Sequence, residues 1–171
     1  SIPATDCDSG RPGCTDGLFY RVSFMVESEL NQQALQQGIA VWLNETFEKW
    51  THSVDVRVQQ SEAPNSYTCQ VLLMITNESL GKSDVLARLL NNLAGTSLEV
   101  QAAYINVHLL ENCPEENPLH YLWPETKPRV TQYLPCFPNK NLSAFRTCLI
   151  NPETFESQWS TANITNCTVT A

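Results

Sequence analysis

Residues 113–167 read CPEENPLHYLWPETKPRVTQYLPCFPNKNLSAFRTCLINPETFESQWSTANITNC. Cys113, Cys136, Cys148 and Cys167 stand there beside Trp123 and Trp159, with many prolines, no glycine and too little periodicity for a long helix. A segment this small buries little apolar surface, so cross-links must supply much of what a core would give. Four cysteines allow three pairings, and spacing alone leaves all three open. Disulfides persist in oxidising compartments, so the chain reads as secreted or cell-surface.

Outward from this stretch the chemistry changes. Before about residue 112 hydrophobic runs alternate with helix-like stretches, and after it prolines and cysteines dominate, so the 171 residues divide into two small domains. We place an N-terminal loop at 1–17, one domain at 18–112 and a second at 113–171. The net charge of -8 comes from 18 acidic against 10 basic side chains, and no two Lys or Arg are adjacent. Nucleic acid and anionic membrane surfaces need a clustered basic footprint, and a dibasic processing site needs a basic pair. The longest apolar run, Val71–Ile75, is far below the roughly 20 residues of a membrane helix. The first residues, SIPATDC, lack the basic and apolar regions of a signal peptide. Asn-x-Ser/Thr triplets begin at Asn44, Asn77, Asn141, Asn163 and Asn166. Five of them, with seven cysteines, point jointly to the secretory pathway and to N-glycans at those positions.

The polar, turn-rich residues 1–17 read as a loop, with Cys7 and Cys14 expected to close a small ring across Gly10 and Pro12, the alternative being that one of them reaches Cys69. Tyr20, Val22, Phe24 and Val26 alternate with polar neighbours, which predicts a half-buried strand over Leu18–Val26. Leu30–Trp50 changes to helical spacing, with Leu35, Ile39, Trp42, Leu43, Phe47 and Trp50 on one stripe. Val54, Val56 and Val58 mark a second strand, the SEAPNSY run a turn, and Tyr67–Thr76 a more apolar third strand. Ser83 is a candidate cap for a second helix carrying Val85, Leu86, Leu89 and Leu93 and ended by Gly95. Leu98–Leu110 then predicts one continuous fourth strand running straight into Cys113. The order βαββαβ gives an α+β, ferredoxin-like sheet with two helices on one face. Phe19, Met25, Leu72 and Met74 fall on the other face, where they are expected to form an exposed contact patch.

Cys113, Trp123-Pro124 with Thr126, Pro135-Cys136 with Pro138, Arg146-x-Cys148, Trp159 and Asn166-Cys167 together resemble the hormone-receptor (HormR) domain of adhesion G-protein-coupled receptors. The resemblance implies pairing of Cys113 with Cys148 and of Cys136 with Cys167. Preceding such a module, the βαββαβ domain resembles an SEA domain. Some SEA domains cut themselves at a Gly-Ser bond between the second and third strands; here that turn reads Pro64-Asn65-Ser66-Tyr67, with asparagine where the glycine would stand.

The resemblance implies a non-catalytic binding and spacer module outside the plasma membrane, positioning adhesive domains and passing ligand or mechanical input toward a receptor core. Its partners would be an extracellular protein or matrix ligand and neighbouring receptor domains, with a homodimer through the open sheet face, no nucleic acid, and a membrane only through downstream receptor segments. A secreted hormone-binding protein and a self-cleaving SEA domain are the alternatives. No cofactor is expected: His52, His108 and His120 lie in different segments with no metal-ligand spacing, and Cys69 reads as a buried inert strand thiol or a cystine partner, ahead of a nucleophile. Trp123 and Trp159 are expected to pack over the disulfides as the module's apolar mass.

Overall fold

The computed structural model describes residues 17–48, 51–76, 79–94, 96, 98–137 and 139–167, with side chains of 51–54 excepted. The expected Cys7–Cys14 ring, Trp50, Asn77 and Gly95 lie outside the described residues. The described residues fall into two compact units, 17–109 and 110–167.

In the first unit, strand β1 (Leu18–Glu27) buries every second residue, and helix α1 (Gln32–Phe47) lays Leu35, Ile39, Trp42, Leu43 and Phe47 against it. Asn31 caps α1, its Oδ1 accepting from the Ala34 amide at 2.8 Å, so the helix starts two residues later than its apolar stripe suggests. Strands β2 (Thr51–Gln60) and β3 (Ser66–Ile75) follow as a hairpin, then helix α2 (Lys82–Asn91). Gly81, not Ser83, is the N-cap of α2, and the Asp84 carboxylate accepts the Gly81 amide at 3.0 Å. The expected fourth strand is broken: β4 (Glu99–Val100), a three-residue 3-10 turn at Ala102–Tyr104, and β5 (Asn106–Leu109) share its place beside β1. Two small alanines and an exposed tyrosine offer little to pack on the sheet, so this stretch bulges away from it. All pairs are antiparallel, in the order β2-β3-β1 followed by β4 and β5. This is the ferredoxin-like arrangement expected from the element order.

Both helices lie on one face. There Phe24 meets Trp42 edge to face at 5.8 Å, while Val22, Val71, Leu73, Val85 and Leu89 complete the core. Each such side chain contributes about 1.5–3 kcal/mol on burial. At the outer strand β2, the Gln36 and Gln32 amides donate to the Val56 and Val58 carbonyls at 3.1 and 3.3 Å. The match is geometric, since four residues of helix rise about 6 Å and two residues of strand about 6.6 Å. A sheet edge invites pairing with other chains, and these amides occupy two of its acceptors. Replacing Gln32 and Gln36 together by alanine is expected to cost about 2 kcal/mol and to promote self-association. Urea melts and light scattering against the parent chain check it, and an equally stable, equally monomeric variant contradicts it.

The second unit is built differently. Cys113 and Thr126 exchange backbone hydrogen bonds, as do Glu116 and Trp123, so residues 113–126 form a narrow hairpin tipped by a 3-10 turn at Pro118–His120. Strands β6 (Thr131–Pro135), β7 (Ser143–Ile150) and β8 (Ser157–Trp159) make a small antiparallel sheet. Cys113 is joined to Cys148 and Cys136 to Cys167, with Cα separations of 5.7 and 5.1 Å.

Candidate functional site

The second unit is organised around one indole. Trp123 is fully buried, with the Tyr121 ring stacked at 6.1 Å, the Trp159 ring at 6.4 Å, and Cys136, Cys167 and Ala144 in the same cluster. Both tryptophans thus form the apolar mass over the cystines, Trp123 at the centre and Trp159 at its rim. Their polar ends differ: Trp159 Nε1 donates to the Pro114 carbonyl at 2.6 Å, whereas Trp123 Nε1 has no hydrogen-bond partner among the described residues. Arg146 locks the assembly from outside. Its guanidinium lies 4.7 Å over the Trp159 ring, its Nε donates to Ser160 O at 2.8 Å, and Nη1 reaches Glu116 Oε1 at 2.7 Å. The ion pair ties β7 to the 113–126 hairpin. The sequence motif contains Arg146, but nothing in spacing reveals that Glu116 and Ser160 meet it.

The tip of this hairpin is unusual. Leu119 and His120 both take left-handed backbone, at φ 52° and 69°, a costly conformation for these side chains. The Phe137 amide donates to Tyr121 Oη at 2.8 Å, and the His120 ring lies 6.4 Å from that of Phe137. The result is a pinned tip on which Leu119 is 74% and Phe137 68% exposed.

In the first unit the expected patch is corrected. Phe19, Leu72 and Met74 do lie opposite the helices, but they are only 6%, 1% and 2% exposed, and Met25 is half-buried. Gly17 passes directly over Met74: a Cβ built on it would lie 3.1 Å from Met74 Cγ. Leu72 is flanked in register by Asp55 on β2 and Arg21 on β1, which share its face. An open groove of about 430 Å³ runs along α1, lined by Leu30, Val41, Trp42, Glu45 and Leu98 among others; Glu45 is the one ionisable side chain in its lining.

Reactive candidates stay apart. Ser66 is buried at the head of β3, and Asn65 before it has φ 59°, a conformation asparagine adopts with little strain. The Asn65 carbonyl accepts from Ser28 N at 2.8 Å. His108 and His120 are exposed and far apart in sequence, and among the described residues no three His, Cys, Asp or Glu side chains are grouped for a metal. Cys69 is buried on β3 opposite Phe24 and Val58, and burial pushes its thiol up to about 12. The neutral thiol is therefore the folded form at neutral pH. Cys69 is expected to resist iodoacetamide at pH 8 until the chain unfolds, as mass spectrometry of pulse-labelled protein would show. Because this pKa is raised on folding from its ordinary 9.0, the stability it lends is complete below pH 9 and is lost as pH climbs toward 12. Of the sequon asparagines, Asn44, Asn141, Asn163 and Asn166 are exposed.

Residues 14–114 match the family described as the SEA domain of adhesion GPCR Gpr126. Over 98% of its length the chain is 32% identical to adhesion G-protein coupled receptor G6 of zebrafish (Danio rerio), of which it spans 15%. It also resembles the solved full extracellular region of zebrafish Gpr126/Adgrg6, with a TM-score of 0.69, 31% identity, 92% of this chain covered and 22% of that one. Among the described residues no helix is long and apolar enough to cross a membrane.

Proposed function

Since the chain belongs to the family of the SEA domain of adhesion GPCR Gpr126, and so to the extracellular side of the plasma membrane, we propose that it is a non-catalytic binding and spacer module. In it residues 18–112 serve as the SEA domain and 113–171 as the HormR domain. The observation that carries the mechanical part is the register at the sheet's end: Tyr20, just inside the start of β1, pairs with Leu109, the last residue of β5. The chain therefore enters and leaves the first unit on neighbouring strands at the same end. Folded, the unit adds only about 5 Å between its entry and exit, the spacing of adjacent strands. Opened, residues 18–109 at roughly 3.4 Å each would lengthen to about 300 Å. Tension along the chain would load the Tyr20–Leu109 end of the β1·β5 pair and peel it one residue at a time, without shearing the whole strand. On this reading the unit holds adhesive domains at short range and yields length when they are pulled.

Single-molecule stretching of the full chain from its two ends tests this. A gain of about 300 Å is expected, at clearly lower force than when the handles sit at Leu18 and Ser66, which shears β1 past β3. Equal forces in the two geometries would remove the reading. Partners on this proposal are an extracellular protein or matrix ligand and adjoining receptor domains. A homodimer through the open sheet face would have to rest on polar rows such as Asp55–Leu72–Arg21–His108, and sedimentation velocity measures whether it forms. Self-cleavage after Asn65 is the competing chemistry, and an intact mass taken under denaturing conditions decides between one chain and two pieces.

A further inference from the structure

The outer face of the β6·β7 hairpin presents an uncovered aromatic strip. Thr131 pairs with Thr147, Tyr133 with Phe145 and Pro135 with Ser143 on this face, while Leu134, Cys136 and Ala144 turn inward to the Trp123 core. The Cys136 amide donates to the Leu142 carbonyl at 2.8 Å, which carries the pairing one step beyond the strands. The Leu142 amide turns to the Asn139 carbonyl at 3.2 Å, so the ladder ends there, with Phe137 and Asn141 each next in the chain to that last bonded pair. Directly opposed residues share a face, with Cβ atoms about 5 Å apart. Tyr133 is 51% and Phe137 68% exposed, and Pro135 is exposed between them. A row of apolar rings in water calls for a cover.

Asn141-Leu142-Ser143 is an N-glycosylation sequon at the end of that row. Asn141 and Ser143 are both exposed, and the Asn141 backbone amide donates to Asn139 Oδ1 at 3.2 Å, which tightens the loop. Among the described residues nothing bonds the Asn141 side-chain amide. We propose that Asn141 carries an N-linked glycan whose first N-acetylglucosamine packs on the Phe137 ring, making the strip toward Pro135 and Tyr133 a seat for the chain's own sugar. In the attachment the Asn141 amide nitrogen bonds the anomeric carbon of an oligosaccharide and gives up one proton. The pyrophosphate-linked lipid that carried the sugar, supplied in the secretory pathway, is the leaving group. Aromatic faces carry partial negative charge and attract the weakly positive C–H face of a pyranose. A tethered sugar faces the ring at an effective concentration on the order of mM, ahead of a free ligand. This inference stands on the extracellular placement of the chain and is independent of the stretching mechanism.

The test is a double-mutant cycle on the full chain secreted from a glycosylating eukaryotic cell. Parent, Ser143→Ala, Phe137→Ala and the double variant are compared by glycopeptide mass and by calorimetry, with Asn141→Gln as a second way to remove the sugar. The exposed Phe137 lets its variant fold. Expected are an occupied Asn141 in the parent and a fall of about 4 °C in melting midpoint on removing the sequon. That fall should vanish when Phe137 is already alanine, and should be absent in chains made without glycans. A bare Asn141 peptide would overturn the proposal, and so would a sequon effect of equal size with and without Phe137.

Discussion

Removing the Cys136–Cys167 bridge by replacing both residues with alanine is expected to unfold residues 110–167 at 37 °C while 17–109 keep their cooperative melt. The bridge closes a loop of sequence separation 31, and freeing a loop of that length costs about 4 kcal/mol in the chain-entropy account. A unit of this size has a total stability of only about 5 kcal/mol or less. Cys136 and Cys167 also line the Trp123 cluster, so the loss combines released chain entropy with lost packing. The first unit has its own core of Phe24, Trp42, Val71 and Leu73. Hydrogen exchange read separately at the amides of Phe145 and Val71 tests the claim. Protection should collapse at Phe145 and persist at Val71, and retention at both would show that the bridge is dispensable.

The second large effect concerns Trp123. Trp123→Ala is expected to cost about 3–5 kcal/mol, the range for emptying a buried aromatic site. Trp123→Phe should cost much less than the ring's volume suggests. The Trp123 Nε1 donor has no hydrogen-bond partner among the described residues, and a buried unpaired donor carries a penalty of about 1–3 kcal/mol that phenylalanine removes. Trp159→Phe, at a less buried position, should cost more in polar terms. It gives up the hydrogen bond to Pro114 O and weakens the seat of the Arg146 guanidinium. Urea denaturation of the three variants gives the order; a Trp123→Phe loss as large as that of Trp123→Ala would show that the indole N–H is satisfied after all.

Much of the fold was legible because its signals are local. The β1 alternation and the α1 stripe follow from the pleat and the helical turn, which act on neighbours in the chain. Failures occurred where a residue's state depends on distant elements. Leu98–Leu110 alternates like a strand, but the backbone leaves β1 at Ala102–Tyr104. Phe19, Leu72 and Met74 lie on the side that alternation assigns, yet they are buried there, with Gly17 against Met74. The Gln32 and Gln36 pair carries the four-residue spacing of a helix face, yet only the docked β2 gives it a role.

By itself the sequence determined the βαββαβ order, the inward faces of β1 and α1, and the kinship of the cysteine-rich segment, since all of these rest on residue type and short spacing. The tertiary structure decided which tryptophan keeps an unpaired donor, that Tyr20 and Leu109 share one end of the sheet, and that Phe137 and Asn141 both adjoin the last bonded pair of the β6·β7 hairpin. Register, burial and hydrogen-bond satisfaction are properties of pairs brought together by folding, and no single position in the chain encodes its partner.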